Sequence, residues 1–309
     1  MRCTSGVLVA LWLGLGGGAA EAKFVQEVIK VPVTVQNAYG KDISADMVVT
    51  VLVDDATPQP RPVVVIGHGR AVDPAGRAAL GRAAYTASSR WFAQMGFLVA
   101  VPTRVGYGVT GGEDAEDSGA CERKNYLPGF AAAAMQTIKT LEVMRQRPDA
   151  LKDRAIIIGQ SFGGTTAIAV AARNPEGVQG VINFAGGGGG NPQTRPQDPC
   201  ARWALKQMYA DYGKTARIPT LWVYAENDMY FGPRLPKEWF DAYVASGGLG
   251  DYQLYPPQGK DGHSLFTSAP DVWRPRVLAF LKTLGYPDLQ SSAVMPPPAR
   301  AGEMPGQPD

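Results

Sequence analysis

In Gly159-Gln160-Ser161-Phe162-Gly163 a serine stands between two glycines, directly after the apolar run Ala155–Ile158 and directly before the helix-forming residues from Thr165 to Ala172. A serine hydroxyl is a weak nucleophile at neutral pH. It becomes a useful one when a strained strand-to-helix turn lifts it above a sheet edge and a neighbouring base takes its proton. The pentapeptide in this setting predicts such a turn, with the glycines letting strand and helix approach closely. The chemistry expected of Ser161 is acyl transfer.

The base has few candidates, because the chain holds two histidines, His68 and His263. His263 lies in Gly259-Lys260-Asp261-Gly262-His263-Ser264, after the last candidate strand and before the last candidate helix. In a chain order of serine, acid, histidine, the base falls there. The acid is then expected after the run Thr220–Tyr224, within Ala225-Glu226-Asn227-Asp228. Asp228 is the first choice, since it sits just past the strand and can turn back toward His263; Glu226 is the alternative. Acyl transfer also needs N–H donors aimed at the oxygen that becomes negative. One is expected from the backbone of Phe162. The other is expected from Gly67-His68-Gly69-Arg70, after the run Val63–Ile66, where either Gly69 or Arg70 supplies it. His68 then reads as the residue that shapes this loop.

These residues need a scaffold, and the hydrophobic pattern outlines one. Phe24–Gln36 alternates apolar and polar residues, Asn37–Gly40 reads as a turn, and Asp46–Val53 as a second strand, which together make an N-terminal hairpin. A proline-rich connector follows over Thr57–Pro62. After it, the runs Val63–Ile66, Phe97–Val101, Ala155–Ile158, Val178–Phe184, Thr220–Tyr224 and Asp251–Tyr255 alternate with helical stretches. Those stretches are Ala79–Met95, Gly129–Gln146, Gly163–Arg173, Arg202–Tyr212, Lys237–Ala245 and Val272–Leu284. Continuous apolar strands between helices predict an α/β fold with a mainly parallel sheet flanked by helices.

On these motifs the sequence resembles the α/β-hydrolase superfamily, roughly from Val63 to Leu284. Phe97–Pro102 followed by Arg104-Val105-Gly106-Tyr107-Gly108 is similar to the strand and glycine-rich loop of dienelactone-hydrolase-like and prolyl-oligopeptidase-like members. Tyr224–Asp228 resembles their acid loop. The resemblance implies a triad of Ser161, Asp228 and His263. It also shows departures. The dienelactone hydrolases proper use a cysteine where Ser161 stands, no β-propeller precedes the domain, and Arg70 interrupts the His-Gly-Gly-Gly motif of some lipases. A cap is often inserted where Ala185–Pro199 lies, but this segment is too short to fold as one, so no large lid is expected over the cleft.

The remaining features bound the function. Arg2, the apolar stretch Val7–Leu15 and Ala20-Glu21-Ala22 read as a signal peptide over residues 1–22, which places the protein in the periplasm or medium. A hydrolase domain over 23–286 and a disordered tail over 287–309, rich in Pro and Gly and without aromatics, complete the expected organisation. Cys121 and Cys200 are left once Cys3 departs with the leader, and an even pair in an exported protein suggests a disulfide. Thirty basic residues against 28 acidic ones give a net charge of +2 without a basic stripe, which argues against an electrostatic nucleic-acid binder. No segment after the leader is long and apolar enough to span a membrane. No metal cluster or dinucleotide fingerprint is present, so no metal and no cofactor are expected. The aromatic residues Tyr107, Tyr126, Trp203, Tyr230 and Phe231 fall in candidate loops, where they pack the core or line a pocket. The expected activity is hydrolysis of a small carboxylic ester. Peptidase or amidase chemistry is the alternative, and a non-catalytic binding role comes third.

Overall fold

The computed structural model describes residues 22–286. The expected leader, apart from Ala22, and the expected tail over 287–309 lie outside the described residues. Alternating side chains fold Phe24–Gln36 (β1) and Asp42–Asp54 (β2) into an antiparallel hairpin, in register from Phe24 opposite Asp54 to Gln36 opposite Asp42. Val31, Val33 and Val35 face the core while their neighbours face solvent, as one-sided antiparallel strands require.

Six further strands complete the sheet: β3 (Arg61–Gly67), β4 (Leu98–Thr103), β5 (Ala150–Gln160), β6 (Val178–Phe184), β7 (Thr220–Ala225) and β8 (Gly250–Tyr255). The eight strands lie in the order β1-β2-β4-β3-β5-β6-β7-β8, parallel from β4 onward. The chain first steps from β3 to one side and then, from β4, crosses back to β5 on the other. The β3/β5 pair is therefore the topological switch point, where the loops leaving adjacent strands diverge and open a crevice.

Helices cover both faces. They are α1 (Pro74–Ala78), α2 (Thr86–Gln94), α3 (Tyr126–Arg145), α4 (Phe162–Ala171), α5 (Arg202–Thr215), α6 (Arg234–Ala245), α7 (Leu265–Ser268) and α8 (Pro270–Thr283). Val63 and Val65 join a core with α3 to α6, whereas Val64 and Ile66 join one with α2, α7 and α8. This two-sided burial explains why the parallel strands read as unbroken apolar runs.

Two sequence expectations need correcting. The helix expected over Ala79–Met95 is interrupted: α1 ends at Ala78, and α2 starts only at Thr86. Gly81 takes φ +66° and Tyr85 φ 45°, left-handed conformations that end a helix, and the Gly81 carbonyl accepts from Val109 N (3.0 Å). Trp203, expected near the site or in the core, is 73% exposed at the start of α5. Between Phe184 and α5 the chain forms turns and no helix. The glycines there pack closely, since a Cβ on Gly187 would lie 2.3 Å from the Phe231 ring.

Cys121 and Cys200 form a disulfide across 79 positions of sequence, with Cα atoms 4.9 Å apart. It joins the loop after β4 to the segment after β6, and Tyr126 Oη donates to the Cys200 carbonyl at 2.5 Å. Closing a loop of this length restricts the unfolded chain by about 3–5 kcal/mol. Replacing both cysteines by serine is expected to lower the free energy of unfolding in urea by an amount on this scale, with a steeper slope against denaturant because the opened unfolded chain exposes more surface. A loss under about 1 kcal/mol would show that the bond adds nothing to the closed-loop constraint.

Candidate active site

Four loops at the carboxyl ends of β3, β5, β7 and β8 meet at the crevice. The turn after β5 carries Ser161 at φ 56° and ψ −123°, a strained conformation for a residue with a side chain. Two contacts hold it there. Ser161 N donates to the Phe184 carbonyl at the end of β6 (2.9 Å). The flanking glycines admit the close crossing: a Cβ on Gly159 would sit 1.9 Å from the Gly163 carbonyl oxygen, and one on Gly163 would sit 2.3 Å from that of Gly67. No other residue type fits at either position.

Asp228 lies after β7 and is fully buried. One carboxylate oxygen accepts from the backbone N–H groups of Tyr230 (2.8 Å) and Phe231 (3.0 Å); the other lies 3.0 Å from His263 Nδ1. Glu226, the alternative acid, is exposed on the outer side of the same loop. His263 is 8% exposed, with Tyr230 stacked on its ring at 3.9 Å between centroids and Phe231 edge-on at 5.3 Å. Its backbone is fixed as well. His263 N donates to Asp261 Oδ1, which also accepts from Met229 N, both at 2.9 Å, so a single carboxylate ties the acid loop to the histidine loop. Gln160 Nε2 donates to the His263 carbonyl (3.1 Å), and Tyr85 Oη in turn donates to Gln160 Oε1 (3.0 Å).

Ser161 and His263 line one cavity of about 410 Å³ together with His68, Gly69, Arg70, Arg82, Tyr85, Tyr107 and Tyr230, among others. The hydrogen bonds of the His263 ring run to Asp228, and among the described residues none joins it to Ser161 Oγ. In unliganded serine hydrolases that contact commonly tightens only with substrate. The interrupted helix explains the far wall, since Leu80 to Tyr85 come from the segment between α1 and α2.

His68 is excluded as a base by its bonds. Its Nδ1 donates to the Gly69 carbonyl (2.7 Å) and its Nε2 accepts from Arg104 N (3.1 Å). Burial, then the charge of Arg104, pushes its pKa well below the ordinary value, so the ring stays neutral with both nitrogens engaged. Phe162 N–H, the first orphan donor of α4, and the N–H of Arg70 have no acceptor among the described residues, whereas the Gly69 N–H lies against Tyr85 Oη on the cavity wall. A Cβ on Gly69 would lie 3.3 Å from Ser161 Cβ, which places this loop directly across from the hydroxyl.

The sequence profile of the serine aminopeptidase S33 hydrolases matches residues 58–220, more than half of the chain. The chain is a member of this family. The S33 match includes Gly69, Arg70 and Ser161 but ends at Thr220, so Asp228 and His263 rest on geometry alone. No curated protein matches the sequence. Solved structures share the α/β-hydrolase fold at low identity. A protein described as a dienelactone hydrolase from Klebsiella pneumoniae aligns at 16% identity and TM-score 0.53, over 83% of this chain and 99% of that one. An acetyl xylan esterase from Paenibacillus sp. R4 aligns at 17% and 0.53, over 85% and 89%. The acylaminoacyl peptidase of Pyrococcus horikoshii aligns at 14% and 0.56, over 90% of this chain but 44% of that one. This S33 chain is therefore a serine hydrolase of the α/β-hydrolase fold.

Several residues that build its site escape a sequence reading. Asp261 and Gln160 lie inside quoted motifs, yet nothing in those motifs marks them as ties between loops. Glu116, fully buried against Arg104, carries no local signal at all.

Proposed function

We propose that this S33 hydrolase is an exported carboxylic-ester hydrolase in which Ser161, His263 and Asp228 act as a triad. The observation that carries the reading is Asp228. A fully buried carboxylate, fixed by two backbone N–H groups, faces Nδ1 of a histidine whose ring opens into the cavity of a strained serine. The aspartate holds Nδ1–H and leaves Nε2 free to accept a proton. Ser161 Oγ then attacks the ester carbonyl carbon while its proton passes to Nε2. The carbonyl oxygen becomes an oxyanion beside Phe162 N–H and the donors of Gly69 and Arg70. Collapse breaks the bond to the alkoxy oxygen, which leaves as an alcohol with the proton from the imidazolium. Water then adds to the acyl group on Ser161, gives a proton to His263, and the acid departs with the serine restored.

Lining charge favours an ester over a peptide with a free amino terminus. The charged residues around the cavity are Arg70 and Arg82, and no carboxylate is among the lining residues. An aminopeptidase substrate brings an ammonium group close to the scissile bond. Here it would meet Arg82 and an Arg70 guanidinium already paired with Asp114, with no carboxylate on the lining to receive it. The export reading is supported by the leader and by the disulfide, a bond that reducing compartments rarely keep.

The test compares p-nitrophenyl acetate and butyrate with alanine and leucine p-nitroanilides. Turnover of the esters is expected to exceed that of the anilides by at least about 10²-fold. Faster cleavage of the anilides would replace the ester reading with the peptidase one.

A further inference from the structure

Behind the loop that faces Ser161, fully buried Arg104 sends its guanidinium into the backbone. Nη1 donates to the His68 carbonyl (2.6 Å) and Nη2 to the Gly69 carbonyl (3.2 Å). The Gly69 carbonyl also accepts from His68 Nδ1, whose ring is itself held by the backbone N–H of Arg104. In a trans peptide the N–H points opposite to the C=O of the same plane. Fixing the carbonyls of residues 68 and 69 against one guanidinium therefore turns the N–H groups of Gly69 and Arg70 away from it. On that far side the Arg70 N–H has no acceptor among the described residues, the Gly69 N–H lies against Tyr85 Oη on the cavity wall, and Gly69 stands against Ser161.

We propose that Arg104, held by Glu116, is the positioning residue of the oxyanion pocket: it clamps two consecutive peptide planes so that their N–H groups turn into the cavity, with the Arg70 N–H free for the oxygen developing on substrate bound at Ser161. The inference rests on the acyl-transfer reading of Ser161. An unpaired cation in this place would be costly, and fully buried Glu116 neutralises it. The Glu116 carboxylate accepts from Arg104 Nε and from Nη2 (3.3 Å), and its second oxygen also accepts from Tyr107 Oη (2.5 Å). The guanidinium lies 5.6 Å from the centre of the Phe162 ring, a cation–π contact with the side chain of the residue that carries the other donor. A full positive charge behind the two carbonyls also polarises both peptides, which strengthens the donors that face the cleft. Lysine cannot do this work, because one ammonium lacks the planar fork that reaches two carbonyls and a carboxylate together.

The experiment uses Arg104→Lys and the double variant Arg104→Met with Glu116→Leu, which leaves no buried charge unpaired. Active sites are counted by fluorophosphonate titration, so kcat refers to competent enzyme only. For both variants, kcat on p-nitrophenyl butyrate is expected to fall about 10- to 100-fold with KM within about threefold. The affinity for phenylboronic acid, whose adduct with the serine is tetrahedral and anionic, is expected to fall by the same factor as kcat/KM. A purely structural role would lower the melting temperature and the number of titratable sites but leave kcat per site and boronate affinity unchanged; that result in either folded variant overturns the proposal. If the double variant does not fold, Arg104→Lys decides alone. A wild-type protein that fluorophosphonate does not label overturns the acyl-transfer reading and this inference with it, whereas a labelled wild type with unchanged variants overturns this inference alone.

Discussion

Ser161→Ala is expected to abolish labelling by a fluorophosphonate probe and to lower kcat on p-nitrophenyl esters by about 10⁵–10⁶-fold, the scale seen when a triad loses its nucleophile. The loss should come without unfolding. Ser161 is half-buried at the cavity wall, and among the described residues its hydroxyl holds no other part of the structure. Removing it leaves no buried polar partner unsatisfied, so stability is expected to stay within about 0.5 kcal/mol of the parent. The backbone provides a second check. Ser161 holds φ 56° and ψ −123° against its own Cβ, and strain of this kind costs on the order of 1–3 kcal/mol. Ser161→Gly relieves it and is expected to be as inactive as the alanine variant yet more stable to urea by about 1 kcal/mol, so this site gives up stability for its geometry. Residual activity above a few per cent in the alanine variant, or labelling equal to the parent, would remove Ser161 from the mechanism. The nearest alternative hydroxyl in the histidine loop, Ser264, donates to the Asp261 carbonyl at 2.9 Å and does not line the cavity.

Local patterns carried much of the fold and part of the site. The strands were legible because burial on both faces leaves apolar runs such as Val63–Ile66 and Ala155–Ile158, and β6 spans the expected Val178–Phe184. The elbow was legible because its glycines answer a short-range constraint: strand, turn and helix crowd one another within five residues. The break at 79–85 was not legible. The alanines, Leu80 and Arg82 of that segment favour a helix, and what overrides them is a tertiary contact, the bond from Val109 to the Gly81 carbonyl. Arg104 was seen only as part of a loop motif, since its partner Glu116 lies twelve positions on and its backbone acceptors 35 and 36 positions back. Distances of that kind leave no periodic trace. The same holds for Asp261, which reads as one more polar loop residue until Met229 and His263 are seen to share it.

The acid is where sequence left two candidates, and the geometry makes them separable by experiment. Asp228→Asn keeps the shape and the acceptor oxygen for Tyr230 N and Phe231 N, so the loop should stay in place. The atom turned toward His263 becomes an amide donor, and two donors cannot share one hydrogen bond. The imidazole then favours the tautomer with its proton on Nε2, where it can no longer take the proton of Ser161. The expected loss is about 10⁴-fold in kcat with KM little changed, because substrate binding does not depend on the tautomer. Glu226→Gln alters an exposed side chain on the same loop and is expected to leave kcat within about twofold. The opposite ranking, with Glu226→Gln the more damaging, would move the acid to Glu226 and leave buried Asp228 as a loop anchor. The two substitutions differ in the bond each breaks: only Asp228 has one oxygen committed to the backbone and the other to Nδ1, and a carboxylate so placed can hold an imidazole in one tautomer while the ring's second nitrogen works on the serine.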